Sequence, residues 1–299
     1  EATFDTTTGE SLLDIIFTTT PEYGGDDLIF ADNGPDVVIG GSGNDVIDAG
    51  LDAAADVVLG DNGIADFDLV DVGSGLTSVL TEITSTATDI GGKDEIIVGD
   101  GDDVVIAGVD DDRVNYRLDD QGNPVQVSVD SGDDVVIGDN GTATWDLVDV
   151  GGVLTPVLTH IVSTATDVHA DNGRDIILVG DGDDVVIGGV DDDLVNYEID
   201  PATGEPVQVG LDDGDDVVIG DSGEVDFDTT TGAPLVTEAK TIDPANGPGD
   251  DMIFTDNGND IVLAGSGNDV VDAENETNPD EGVDVVLGDN GRTEFDLVD

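Results

Sequence analysis

An aspartate returns every nine residues, usually two places behind a glycine and always ahead of a short aliphatic run, and no other feature of the 299-residue chain constrains its fold as much. The core is Gly-x-Asp-x-(Val/Ile). Its aspartates are Asp27, Asp36, Asp45 and Asp56 in a first set and Asp94, Asp103, Asp112 and Asp134 in a second. Asp175, Asp184, Asp193 and Asp216 form a third, and Asp251, Asp260, Asp269 and Asp284 a fourth. A fixed period of this kind predicts a solenoid-like array, in which each unit buries its apolar face only against its neighbours.

A longer repeat encloses the short one. Val57-Val58-Leu59-Gly60-Asp61-Asn62-Gly63 returns at 135–141, at 217–223 with Ser222 for Asn, and at 285–291, with spacings of 78, 82 and 68 residues. Each copy is followed by an acidic and aromatic segment, Asp66-Phe67-Asp68, Thr144-Trp145-Asp146, Asp226-Phe227-Asp228 and Glu294-Phe295-Asp296. The chain therefore divides into units 1–63, 64–141, 142–223 and 224–291, the last resembling the first, with 292–299 opening a further one. Alternating apolar residues around Gly151-Gly152 predict a hairpin between units, and Gln121-Gly122-Asn123-Pro124 predicts a shorter one within the second.

Charge removes whole classes of function. Against 6 Lys and Arg stand 72 acidic residues, only 13 of them Glu, for a formal net charge of −66. Such a surface repels phosphate backbones and anionic lipid, which excludes nucleic acid as a partner. No apolar run approaches the roughly 20 residues that span a bilayer, so membrane insertion is not expected. With no cysteine there is no disulfide frame, thiolate site or cysteine nucleophile. Yet 37% of residues are apolar, more than a disordered acidic tail carries. A solvated acidic face suited to high salt would use Glu and Asp alike and would not fix Asp at nine-residue intervals. Glu1-Ala2-Thr3-Phe4 has neither the basic nor the apolar region of a signal peptide, so either export uses a signal outside these residues or the N-terminus has been trimmed.

Gly40-Gly41-Ser42-Gly43-Asn44-Asp45-Val46-Ile47-Asp48 fits every fixed position of Gly-Gly-x-Gly-x-Asp-x-U-x, and close variants occupy 98–106, 179–187 and 264–272. This pattern resembles the repeats-in-toxin, or haemolysin-type, calcium-binding nonapeptide family. The resemblance implies an all-β fold, a right-handed parallel β-roll or β-solenoid with β-hairpin excursions. Its glycine-rich halves form bends, its Asp-x-U halves form strands, and two nonapeptides close one coil. It also implies Ca²⁺ as the bound cation, in multiple sites, with the sixteen core aspartates named above as metal ligands, because stacked bends present only oxygen donors. Roughly a dozen such ions would offset about a third of the net charge, and ion binding is expected to supply the folding free energy of an otherwise expanded chain.

Departures from the pattern carry expectations of their own. Asp110 and Asp191 stand where the family has glycine, so the turns leading to Asp112 and Asp193 are expected to be distorted or to have lost their site. Asp56, Asp134, Asp216 and Asp284 follow excursions, which makes their stacking less regular. Nine residues beyond each of these stand Ala65, Ala143, Val225 and Thr293, so the turns beginning at Gly-Asp-Asn-Gly read as having lost their ligand. Runs such as Val135-Val136-Ile137 are apolar on both faces, which predicts a cover on the outside of the roll, either the hairpins or another copy.

No catalytic motif competes with this reading. His160 and His169 occur only in the third unit and read as surface hairpin residues, and Trp145 replaces phenylalanine as a packing anchor. The expected function is structural: a non-catalytic, calcium-stabilised repeat region of a secreted or cell-surface protein, self-associating end to end or laterally into a filament or surface layer. A calcium-dependent adhesin stalk and a folding module of a secreted toxin or hydrolase are the alternatives. No polar cap of the kind that ends a repeat array is visible near Phe4 or Phe295, so these residues are expected either to be a slice of a longer array or to stack end to end with copies of themselves.

Overall fold

The structure, a computed structural model, describes residues 1–6, 11–71, 75–118, 124–126, 131–164, 173–200, 202–208, 213–230, 232–242, 249–273 and 282–295. His169, the turn Gln121–Asn123 and Asp296 lie outside them. Among the described residues the chain is all strand apart from one short 3₁₀ turn, Pro21–Tyr23, and no helix is long and apolar enough to cross a membrane.

Two parallel eight-stranded sheets form a β-roll. One runs Leu28–Phe30, Val46–Asp48, Glu95–Ile97, Arg113–Val114, Ile176–Ile177, Leu194–Val195, Met252–Phe254, Val270–Asp272. The other runs Val37–Ile39, Val57–Leu59, Val104–Gly108, Val135–Asp139, Val185–Gly189, Val217–Asp221, Ile261–Leu263, Val285–Leu287. The chain alternates between them, so one strand from each makes a coil, and the eight coils stack in sequence order, two from each unit. Where no excursion intervenes, equivalent residues of neighbouring coils are 18 apart, the two-nonapeptide coil that the repeat implies.

Side chains alternate across a strand, and this gives each residue of an apolar triplet its own task. The central valines Val58, Val105, Val136, Val186, Val218 and Val262 point inward against Ile47, Ile96, Ile177 and Ile253 of the opposite sheet. The flanking residues Val104, Ile106, Val135, Ile137, Val185 and Ile187 point outward and are buried as well. Their cover is a nine-stranded antiparallel sheet built from the excursions, running from Ala2–Asp5 and Leu12–Phe17 through Gly63–Asp71, Leu76–Ser85, Gly141–Val150, Val153–Ser163, Gly223–Asp228 and Leu235–Thr241 to Arg292–Glu294. Its inner face contributes Ile83, Ala143, Ile161, Val225 and Ala239. The predicted cover of the second sheet is therefore the protein's own hairpins.

Phe4, Phe67, Trp145 and Phe227 all stand where a hairpin slips its register by one residue, so the recurrent aromatic marks a β-bulge. Trp145 packs half-buried on the outer core, as an anchor should. Gly151 and Gly152, at φ 66° and 93°, supply the positive backbone angles of the tight turn between Gly141–Val150 and Val153–Ser163. Two small hairpins, Tyr116–Leu118 with Pro124–Gln126 and Tyr197–Ile199 with Pro206–Gln208, lie over the outside of the first sheet. There Tyr197 meets Phe254 edge to face with ring centroids 6.4 Å apart.

Truncating Ile187, fully buried between roll and cover, to alanine is expected to cost about 2–5 kcal/mol. Leu28→Ala at an exposed site of the first coil should cost little. Denaturant midpoints of the two variants in excess calcium would measure the difference.

Candidate metal centres

Every turn delivers its core aspartate to one of two columns along the roll. Asp27, Asp45, Asp94, Asp112, Asp175, Asp193, Asp251 and Asp269 precede the strands of the first sheet. Asp36, Asp56, Asp103, Asp134, Asp184, Asp216, Asp260 and Asp284 precede those of the second. All sixteen aspartates proposed from the sequence are thus brought together, eight to a column.

A continuous ladder holds each column. The amide of Asp27 donates to Oδ1 of Asp45 at 2.7 Å, Asp45 to Asp94 at 2.8 Å, Asp94 to Asp112 at 2.7 Å and Asp112 to Asp175 at 2.8 Å. The series continues through Asp193 and Asp251 to Asp269. In the other column it runs from Asp36 to Asp284, at 2.7–3.3 Å. One residue earlier, in several turns, a second, exposed ladder points the opposite way: Asp133 N–H donates to Asp102, Asp183 to Asp133, and Asp215 to Asp183. The turns of Asp133 and Asp183 are therefore tied to both neighbours by carboxylates.

The inner ladder uses only one oxygen of each carboxylate. Oδ2 of Asp36, Asp45, Asp94, Asp112, Asp175, Asp193, Asp251 and Asp269 is buried with no hydrogen-bond partner among the described residues. A carbonyl oxygen of the next coil stands beside several of them. A Cβ placed on Gly60 would lie 2.2 Å from Ala107 O and 2.4 Å from Asp94 Oδ2, and one on Gly220 would lie 2.3 Å from Ala264 O and 2.4 Å from Asp251 Oδ2. Glycine here keeps open a space on which one carboxylate and one carbonyl oxygen converge. Oxygen-only donors of this kind suit a hard cation such as Ca²⁺, so the residues present fit the ion, and the carboxylates named would hold it.

Electrostatics give the same indication. Burial pushes Asp94 up to about 8, with Asp45 adding repulsion, and Asp251 up to about 8, with Asp221 and Asp269 adding theirs. Asp56 rises to about 6, and Asp112, Asp175 and Asp193 rise well above the ordinary carboxylate range, in each case chiefly through burial. Buried carboxylates in register are tolerated only if neutral or met by positive charge. Asp111 differs: partial burial raises it, but the ammonium of Lys93 and then Arg174 outweigh that and hold it below its ordinary value.

The sequence expectations need two corrections. The turns before Asp112 and Asp193 are not distorted, because Asp110 and Asp191 adopt the left-handed conformation themselves, at φ 80° and 78°; aspartate tolerates that region better than most residues. Asp32 and Asp256 do the same. Nor is the turn lost at Gly-Asp-Asn-Gly. The chain leaves for its hairpin and returns to finish the same turn with Asp94, Asp175 or Asp251, so the ligand position is filled some 30 residues later than nine-residue counting looks for it. Three buried carboxylates at those exits, Asp61, Asp139 and Asp221, were missed by that counting. Asp56, Asp134 and Asp216 are buried in register despite their excursions, and Asp284 closes its column half-exposed.

His160 lies in the hairpin sheet, half-buried, with Nδ1 2.8 Å from Asp226 Oδ1. Glu224 completes a group close enough to share an ion but is already paired with Lys240 Nζ at 3.0 Å.

The family model of the RTX calcium-binding nonapeptide repeat matches four segments, residues 23–54, 90–120, 167–198 and 246–276. Each takes in the first three aspartates of a set and omits the fourth. No curated protein and no solved structure matches the chain. The matched repeats bind calcium, and their number gives the protein multiple Ca²⁺ sites.

The raised carboxyls fix the sign of a pH effect in chelator. Their folded-state values lie above the unfolded 3.8, so their contribution to stability is whole below about pH 4 and is lost as pH climbs through 6 to 9. The metal-free chain should therefore show more β-structure by circular dichroism near pH 4 than at pH 8, the reverse of ordinary acid denaturation, and calcium should abolish the difference. Equal spectra at both pH values in chelator would contradict this.

Proposed function

From the premise that the chain carries four copies of the RTX calcium-binding repeat, we propose that it is a non-catalytic structural region of a secreted or cell-surface protein. In this reading its calcium-stabilised rolls join end to end into a filament or surface layer. Extracellular modules bind calcium at about 10⁻⁴–10⁻³ M, so sites of this type fill outside the cell.

The observation that supports joining is the open ladder at the first and last described coils. Among the described residues the inner ladder starts at Asp27 and Asp36, which have no earlier coil to receive an amide from, and stops at Asp269 and Asp284, which have no later aspartate to donate to. One end thus offers carboxylates and the other amides, in the same register. The inner valine row opens as well: Val262 is fully buried, but Val286 of the last coil is 47% exposed. At the first coil Tyr23, Leu28 and Phe30 are exposed. Such a contact is heterologous, and it propagates into fibres where the rotation between copies does not close a ring.

Electron microscopy with sedimentation of the 299-residue chain, in chelator and in millimolar calcium, tests the proposal. Fibres or sheets only with calcium are expected. Compact monomers with calcium would contradict self-assembly and favour an adhesin stalk or a folding module of a secreted toxin or hydrolase.

A further inference from the structure

Asp61, Asp139 and Asp221 lie outside the segments that match the nonapeptide repeat, yet they are as buried as the core aspartates, at 3%, 0% and 4% exposure. Each stands in Gly-Asp-(Asn/Ser)-Gly, where the chain leaves the second sheet to build a large hairpin. The core aspartates reach back, accepting the amide of the coil before, whereas these three reach forward. Asp61 Oδ2 accepts the Val109 amide at 2.7 Å and Asp139 Oδ2 accepts the Val190 amide at 2.6 Å. Asp221 accepts the Ser266 amide with Oδ2 and the Gly249 amide with Oδ1, the latter at 3.1 Å.

The receiving turn is shaped for the incoming carboxylate. Its second residue is Gly108, Gly189 or Gly265, at φ 130°, 127° and 104°, and a Cβ on any of them would come within 2.3, 2.4 and 2.5 Å of the visiting Oδ2. The other oxygen of Asp61 and of Asp139, Oδ1, is buried with no hydrogen-bond partner among the described residues. The core aspartate of that same receiving turn, Asp112 or Asp193, reaches back with Oδ1 to the turn that carries Asp61 or Asp139 and keeps its own buried, unpartnered Oδ2. Asp269 does so opposite Asp221. From Asp94 onward in this column, gaps that receive such a forward-reaching carboxylate alternate with gaps that do not, and the doubled ones follow the hairpin exits.

We propose that Asp61, Asp139 and Asp221 are additional calcium ligands, each sharing one cation with Asp112, Asp193 or Asp269, so that an ion clasps the exit of a large hairpin to the next coil. The proposal rests on the calcium-binding reading of the repeats and extends it to residues that the repeat pattern does not include. It ties ion uptake to seating of the hairpin sheet: Asp139 is six residues before Trp145, the chain's one tryptophan, in the hairpin that follows it.

Asp→Asn variants separate a ligand from a simple cap, because asparagine keeps an oxygen for the Val109, Val190 or Ser266 amide and loses only the charge. Calcium bound to the full chain is measured by equilibrium dialysis, and the Trp145 emission is followed through a calcium titration. The triple variant D61N/D139N/D221N should hold about three fewer ions at limiting free calcium and shift the Trp145 transition to at least about tenfold higher calcium. D68N/D146N, on exposed hairpin positions, should match the wild type. If the triple variant does not fold, the single variants decide, each expected to lose about one ion. Wild-type stoichiometry and midpoint in the Asn variants would overturn the proposal and leave the three residues as neutral caps. A wild-type chain that binds no calcium would instead overturn the repeat reading, and this proposal with it.

Discussion

One carboxylate per turn, stacked in register and withdrawn from water, is the constraint on which the rest of the molecule depends. The inner ladder gives each core aspartate an amide from the preceding coil, so the acids are held in line by the backbone and cannot splay apart to relieve their repulsion. A backbone hydrogen bond offsets part of the cost of burying a carboxylate, but not enough: Asp94 and Asp251 still rise to about 8 with their ladder bonds in place. Positive charge has to come from elsewhere, and the chain carries only 6 Lys and Arg. Calcium meets that need with the same oxygens that the ladder leaves over. Ion binding and coil stacking are therefore one process in this protein, with binding free energy serving as folding free energy.

Other features follow from keeping that stack straight. Glycines such as Gly60 and Gly220 leave the space that carboxylate and carbonyl oxygens approach. The triplets make the roll thin, one row of aliphatic side chains deep, and a core so thin cannot hold a sheet by itself. The large hairpins compensate by laying a second apolar layer on the outside, where Ile106, Ile137, Ile187 and Ile219 are as buried as the inner row. The bulges at Phe67, Trp145 and Phe227 interrupt the hairpin register, and the rings of Trp145 and Phe227 pack against that layer. Cover and roll alternate along the chain, which leaves the roll for a hairpin and returns to finish the turn it had begun.

Much of this was legible in the residues. Nine-residue spacing of Asp27, Asp36 and Asp45 gave the strands, and the family resemblance it carries implied their alternation between two sheets and the 18-residue coil, because a regular turn has only local requirements. The two-faced apolar runs correctly called for a cover. What escaped was long-range. Asp61 meets the turn of Gly108 and Val109, 47 and 48 residues away, and nothing in the spacing of Gly-Asp-Asn-Gly reveals that its carboxylate points forward. Asp94 finishes a turn that began at Gly60, with a whole hairpin between. The supposed distortion at Asp112 and Asp193 failed for a local reason: Asp110 and Asp191 take the left-handed angles in place of glycine. The outer ladder of Asp102, Asp133, Asp183 and Asp215 was hidden because at each of these positions the sequence shows only one more acid in an acidic chain.

Amide hydrogen exchange of the ladder residues, with and without calcium at neutral pH, tests the central claim most directly. The account predicts that the amides of Asp45, Asp94, Asp134 and Asp184 exchange freely in chelator and gain protection in the same calcium range in which ions bind, together with the valine amides of the inner core. Protection of those aspartate amides in chelator would contradict it, because the stack would then stand without its countercharge.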